Sequence, residues 1–435
     1  MSTHTAKSLA ATDSISYVDL YRRWEEGNWK ATGIDLSRDV DGWLSLNDVQ
    51  RRSGLWLYSM FFYGEDSVTD NLSPYIDAAP TEEQAYFLTT QQVDEARHAV
   101  FFHRFFQEVI GVEGDTLADT LATTDEHLNW GYRGVFGRLD AMADELRRDR
   151  SLPKFAQAIA LYHLIVEATL AQPGQHFIQD FFTRAGDLPG FLEGMDHVAT
   201  DEQRHIGFGV KTLADAFRRS DECRAAVDEM LREVLPYALA VFVPPGFDRS
   251  YTREYGFEIE DVFAFGLSSI KAKWRATGYP LEDRPPGVFP LDPTMDNDES
   301  ARIVVALLEA GVMGPPTPPN GRPDASTRTQ EQFFEIVARS FDASRLNGRT
   351  FTVQWRFSDA DPWHVRVAGG TAQAVAGESP SPDVTVQTDW KTWCDMSVRN
   401  ASPVEAVLRG RLRPQGSPRA LYELSRVAGS RFGLR

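Results

Sequence analysis

The stretch that most constrains this chain is Asp94-Glu95-Ala96-Arg97-His98, which recurs as Asp201-Glu202-Gln203-Arg204-His205. Glu and His three residues apart lie on one helix face, near enough for both side chains to reach a single cation. One such pair arises by accident on many solvated helices. Two copies, each led by an Asp, point to a shared site. A four-helix bundle with two metal ions in its core takes this pair from two helices and one inward Glu from each of the other two. Both single Glu residues are present. Glu65 lies 30 residues before Glu95, and Glu167 lies 35 residues before Glu202, each a helical hairpin's length. They close the apolar runs Leu55–Gly64 and Ala158–Val166, where a lone carboxylate is costly to bury. Four carboxylates carry four negative charges, which two divalent cations cancel. The alternative is that all six groups are solvated or ion-paired.

The rest of the composition narrows the class. A chain of 435 residues is long enough for two domains, and 42% hydrophobic with 25% charged residues is ordinary for a globular core. A net charge of −18 disfavours nucleic acid or an anionic membrane as the main partner. Only Cys223 and Cys394 occur, which excludes a thiolate metal site or a disulfide framework and suits a reducing, cytoplasmic setting. No apolar run is long enough to span a membrane, and the N-terminus carries no signal-peptide core.

The expected organisation is a tail over 1–16, a helical domain over 17–313, a Pro-rich linker over 314–327 and a smaller domain over 328–435. Residues 17–44, rich in Trp, read as an irregular lead-in. Core helices are expected over 46–72, from Thr81 to Ile110, from Ser151 through Glu167, and from Pro189 through His205. Pro173-Gly174 should kink or break the third. Residues 116–150 read as a helical connection, with further helices at 222–242, 258–275 and 298–312. Beyond the linker, a helix over 330–341 precedes alternating strands at 350–357, 363–367 and 383–387. Helices near 390–397, 403–409 and 418–431 complete an α+β domain.

Residues 28–275 resemble the ribonucleotide-reductase small-subunit superfamily of ferritin-like proteins, and within it the ligand-binding oxidases. The resemblance rests on Gly33-Ile34-Asp35-Leu36-Ser37-Arg38-Asp39, on Gly64-Glu65-Asp66-Ser67-Val68-Thr69 and on the order of the two repeated motifs. It implies an all-α ferritin-like four-helix core with extra helices. Its two metal ions, Fe/Fe or Mn/Fe, would be held by Glu65, Glu95, His98, Glu167, Glu202 and His205. The reductase radical Tyr is replaced by Phe102. The oxidases' Tyr–Val ether cross-link would fall on Tyr162 and Val68. Val68 shares the Glu65 face. Tyr162 is five residues before Glu167, about 140° away on an ideal helix, whereas His163 at i−4 is better placed; a distorted helix would be needed. Residues 328–435 resemble a sterol-carrier-protein-like lipid-binding domain, in strand pattern and in Gly410-Arg411-Leu412-Arg413-Pro414-Gln415-Gly416. Such a domain would either hold an apolar substrate or mediate dimerisation.

Carboxylates suit a centre whose charge changes, since they shift between terminal and bridging modes, while His is a neutral anchor. Asp94 and Asp201 are expected behind the ligands, Asp201 holding a His of the other hairpin. Phe61, Phe62, Phe101, Phe102, Phe105 and Phe106 crowd the first metal-bearing hairpin, and some could line an apolar channel. The expected activity is dioxygen-dependent oxidation of a fatty-acid-like or other apolar substrate, with an unidentified electron donor. N-oxygenation or desaturation is the alternative, as is a non-catalytic lipid and metal carrier. An additional His ligand one turn before Glu202 would favour N-oxygenation, but that position is Val198, with His197 on another face.

Overall fold

A computed structural model describes residues 15–114, 116–185, 187–315, 321–397 and 401–428. Residues 1–14 of the expected N-terminal tail and 316–320 of the Pro-rich linker thus fall outside the described residues. The chain forms two compact units, Met1–Met230 with Val241–Leu281, and Leu231–Ala240 with Glu282–Arg435.

The first unit is helical. Its elements are α1 (Tyr17–Glu26), α2 (Asp48–Asn71), α3 (Glu82–Phe105), α4 (Trp130–Leu146), α5 (Leu152–Ile159), α6 (Gln172–Ala185) and α7 (Pro189–Arg219). Helix α8 (Asp221–Ala238) follows, its residues from Leu231 belonging to the second unit, and then α9 (Ile259–Ala276) in the first. The core pairs α2 with α3, and the α5-to-α6 arm with α7. Asn47 starts α2 by accepting from Val49 N and Gln50 N, while the Gln50 side chain answers the Asn47 N–H. Thr81 caps α3, and Pro189 opens α7 where no N–H is needed.

Two sequence expectations are corrected here. Residues 17–44 do not form an irregular lead-in: α1 is a regular helix begun by a reciprocal Ser16–Asp19 capping box, followed by short turns and the helix Val40–Ser45. Nor does Pro173-Gly174 break the third core arm. Residues Ala160–Ala171 adopt a π-helix that runs directly into α6. The wider turn changes which carbonyl loses its partner at Pro173, and a neighbouring hydroxyl replaces it: Ser269 Oγ donates to Ala168 O at 2.6 Å. Both cysteines are free and buried, and no described helix is long and apolar enough to cross a membrane.

The second unit contains α10 (Asn297–Glu309), α11 (Thr327–Arg339), β1 (Phe351–Phe357), β2 (Trp363–Ala368), β3 (Thr371–Ala376), β4 (Val384–Thr388), α12 (Trp390–Ser397), α13 (Pro403–Leu408), β5 (Arg413–Gly416) and α14 (Pro418–Val427). Sheet order is β3-β2-β1-β4-β5, antiparallel except for the β1–β4 pair. Strands β3 and β5 were not expected. The segment Thr-Ala-Gln-Ala-Val-Ala has little intrinsic strand preference; a two-residue Gly369-Gly370 turn, both at positive φ, pins it to β2. Pro414 lies in an exposed edge strand, where a missing N–H is tolerated. Trp355 on β1 packs against Phe334 of α11 and Trp393 of α12 to centre this core.

Candidate metal centre

Helix α2 presents Glu65, α3 presents Glu95 and His98, the π-helical segment Glu167, and α7 Glu202 and His205. None of the six is more than 5% exposed. Glu65, Glu95, His98 and Glu202 offer donor atoms within 4.8 Å of one another, as do Glu95, Glu167, Glu202 and His205. The two groups share Glu95 and Glu202. His98 Nδ1 lies 3.2 Å from Glu65 Oε2 and 3.3 Å from Glu95 Oε2. His205 Nδ1 lies 3.1 Å from Glu95 Oε1 and 3.4 Å from Glu167 Oε1.

Behind these groups the two hairpins exchange supports. Asp201 accepts from His98 Nε2 at 3.2 Å, and Asp94 accepts from His205 Nε2 at 3.1 Å. Each Asp therefore turns the opposite hairpin's imidazole so that Nδ1 faces the carboxylates. Asp94 and Asp201 are in turn held by Trp24 Nε1 and Trp29 Nε1, both at 2.8 Å. Arg204 donates to Asp94 at 2.5 Å and to Asp201 at 2.9 Å, and Arg97 lies 3.2 Å from Asp94. Sequence reasoning missed the two arginines and the two tryptophans. The Arg recurs in both motifs and was visible; the Trp contacts depend on how α1 and the segment after it dock and carry no local signal.

Gln91 is a further omission. It lies four residues before Glu95, donates to Glu167 Oε1 at 2.8 Å and accepts from His163 Nε2 at 3.0 Å. His163 is thus tied to Gln91 rather than to the carboxylates, and it fits because residue 209 is Gly: a Cβ there would stand 2.3 Å from His163 Cβ. Tyr162 Oη donates to Glu95 Oε1 at 2.5 Å. Tyr162 and Val68 line one cavity with Glu65, Glu95, Glu167 and Glu202. Phe102 is fully buried and stacks on Phe61 with centroids 5.8 Å apart. His197 stacks on Trp29 and joins neither cluster.

Burial dominates the electrostatics. It raises Glu65 to about 7 against the pull of His98, and Glu167 to about 8 against His205. Glu202 is pushed well above the carboxylate range by burial and by Glu167, Glu95 and Glu65. Burial also opposes the charge on Glu95, yet His205 and His98 hold it well below that range. Both imidazoles are raised despite burial, His98 by Glu65 and His205 by Glu95. Protons thus offset negative charge where cations would otherwise do so. Glu167 Oε2 and Glu202 Oε2 are buried without a hydrogen-bond partner. Unpaired donor atoms aimed into one small space fit a pair of hard or borderline cations.

The cavity beside the cluster holds about 60 Å³ and is walled by Leu57, Met60, Phe61, Val166, Leu170 and Phe242. In the second unit a separate cavity of about 210 Å³ is lined by Trp355, Trp393, Met396, Val407, Leu412 and Leu424, with Ser425 among the few polar side chains.

A helical bundle with a buried carboxylate–imidazole cluster suited to two metal ions is therefore the class this unit defines. Residues 12–238 match the model for the ribonucleotide reductase small chain, and the chain belongs to that family. Among solved structures, a variant of R2-like ligand-binding oxidase with an anaerobically reconstituted Mn/Fe cofactor is 26% identical, with a TM-score of 0.53 over 60% of this chain and 93% of its own. Another variant, aerobically reconstituted with Mn/Fe, is 27% identical, with a TM-score of 0.51 over 61% of this chain and 93% of its own. Residues 323–429 match the alkyl sulfatase C-terminal model.

Proposed function

We propose that the first unit is a dioxygen-activating dimetal oxidase whose two ions, Mn/Fe or Fe/Fe, are held by Glu65, Glu95, His98, Glu167, Glu202 and His205. The observation that carries this reading is the pair of overlapping donor groups that share Glu95 and Glu202. The solved relatives with Mn/Fe cofactors support it. When bound, such ions supply the electrons that reduce dioxygen. The chain's own contribution is to fix both imidazole faces through Asp94 and Asp201, to exclude water with the phenylalanine layer, and to admit an apolar molecule along the cavity wall. Hydroxylation, desaturation or N-oxygenation of that molecule are the candidate outcomes. Phe102 argues against a reductase subunit, since it cannot store a tyrosyl radical.

Tyr162 and Val68 are the proposed cross-link partners. The ether would join Tyr162 Oη to a Val68 side-chain carbon. It breaks one O–H and one C–H bond and passes two protons and two electrons to dioxygen. The second unit's cavity is proposed to hold an apolar, lipid-like molecule, consistent with its aromatic and aliphatic lining.

Anaerobic loading with Fe(II), with and without Mn(II), followed by air tests the oxidase reading. Two metals per chain and an intact mass lower by two hydrogens are expected. Full loading and oxidation with unchanged mass would remove the cross-link. Failure to retain two metals would remove the oxidase, as would loading without any dioxygen consumption, which fits a carrier.

A further inference from the structure

The second unit carries an exposed apolar face beside its cavity. On α13, Val404, Val407 and Leu408 are 62%, 43% and 82% exposed. Their spacing of i, i+3 and i+4 places them on one outward stripe. On α14, Tyr422 is 64% exposed. The same two helices border the cavity: Val407 and Pro403 line it from α13, and Leu421 and Leu424 line it from α14. Val407 is therefore both rim and wall.

Between the helices the chain is basic. Residues 403–419 hold Arg409, Arg411, Arg413 and Arg419 against one acid, Glu405. All four arginines are exposed, and Glu405 is paired with Arg409 at 2.6 Å. On α14, Glu423 is buried and engaged by Arg349 and Arg426. A local positive field thus sits on a chain whose net charge is −18. Aliphatic and Tyr side chains framed by arginines match the boundary between headgroups and acyl chains. A second copy would set four arginines against four, which disfavours self-association through this face.

We propose that the face of Val404, Val407, Leu408 and Tyr422, framed by Arg409, Arg411, Arg413 and Arg419, docks on an anionic lipid surface and sets the cavity mouth at the acyl layer. This presupposes that the cavity holds an apolar molecule, so the two are tested separately.

The full-length protein is sedimented with phosphatidylcholine vesicles, with and without phosphatidylglycerol. Binding is expected only to the phosphatidylglycerol vesicles and should fall as salt is raised. A Val404→Ser/Leu408→Ser variant and an Arg411→Glu/Arg419→Glu variant should each bind about tenfold more weakly while keeping the parent's circular dichroism. No binding at low salt, or equal binding by the variants, overturns the proposal. A parent dimer in solution that Val404→Ser/Leu408→Ser dissolves also overturns it, in favour of a second copy. Displacement of a fluorescent fatty acid, without vesicles, reads the cavity. If the probe binds but vesicles do not, docking fails alone. If vesicles bind through these residues but the probe does not, the cavity reading fails alone.

Discussion

At Gln91 a single amide joins the two hairpins. Its NH2 faces the Glu167 carboxylate, so its carbonyl faces His163 Nε2 at 3.0 Å, while His163 Nδ1 lies 3.3 Å from Ile159 O; a neutral ring has one proton for these two acceptors, and Gln91 is the nearer. Burial lowers His163 to about 3, so the ring is neutral at any working pH. The chain Glu167–Gln91–His163 therefore positions one carboxylate without adding charge. Replacing Gln91 with Leu keeps the volume and removes the hydrogen bonds to Glu167 and His163, together with a longer one to Glu95 at 3.4 Å. Metal affinity should fall about 10- to 100-fold, the range for lost support behind a ligand. Competition with a chelating dye measures this, and unaltered affinity would show that Glu167 needs no such support. A search for Glu and His spacings alone does not reach this amide. Gln91 shares the Glu95 face at i−4, and that spacing was available in the sequence. Its partner, His163, shares the Glu167 face at i−4 on an ideal helix, yet in the structure its ring meets Gln91.

That difference belongs to an element, the π-helix over Ala160–Ala171. In an α-helix, residues five apart point in different directions; the wider π turn, with backbone bonds such as Gln172 N–H to Glu167 O, brings them nearer to one face. Tyr162 is thereby brought onto the Glu167 side and reaches Glu95. The four-helix arrangement was legible because paired motifs, apolar runs and caps all agreed. The local pitch was not, since no side-chain pattern distinguishes π from α over so apolar a run. Only Pro173 hinted at irregularity, and the structure absorbs it without a break. The next π bond would run from residue 173 to Ala168 O, where Pro173 has no N–H; the Ser269 hydroxyl fills that position. Ser269→Ala should destabilise the protein by about 1–3 kcal/mol, the cost of an unsatisfied buried carbonyl. In a Pro173→Ala background, whose restored N–H can serve the carbonyl, the loss should be smaller. Denaturant unfolding of the four proteins closes this cycle, and equal losses in both backgrounds would show that the hydroxyl does not replace the missing amide.

For the whole molecule, the central cost is a core that gathers six ionisable groups, and protons or cations can meet it. Without metal, Glu65 and Glu167 titrate near 7 and 8, above the ordinary carboxylate value of about 4.5. Folding therefore takes up protons, and the stability this contributes is complete below that ordinary value and lost as pH rises through 7 and 8. The imidazoles of His98 and His205, raised above the usual histidine range, act in the same direction. Glu95 is lowered, and its contribution is lost only at acid pH, outside this window. Metal-free protein should thus unfold at progressively lower temperature between about pH 5 and 8. Cations displace those protons, so anaerobically Mn(II)- and Fe(II)-loaded protein should lose less, and the gap between the two melting curves should widen with pH. Metal uptake in unbuffered solution should also acidify it measurably. Parallel melting curves with no acidification would mean that the ions bind elsewhere, because a cluster this buried cannot exchange protons for metals without both effects.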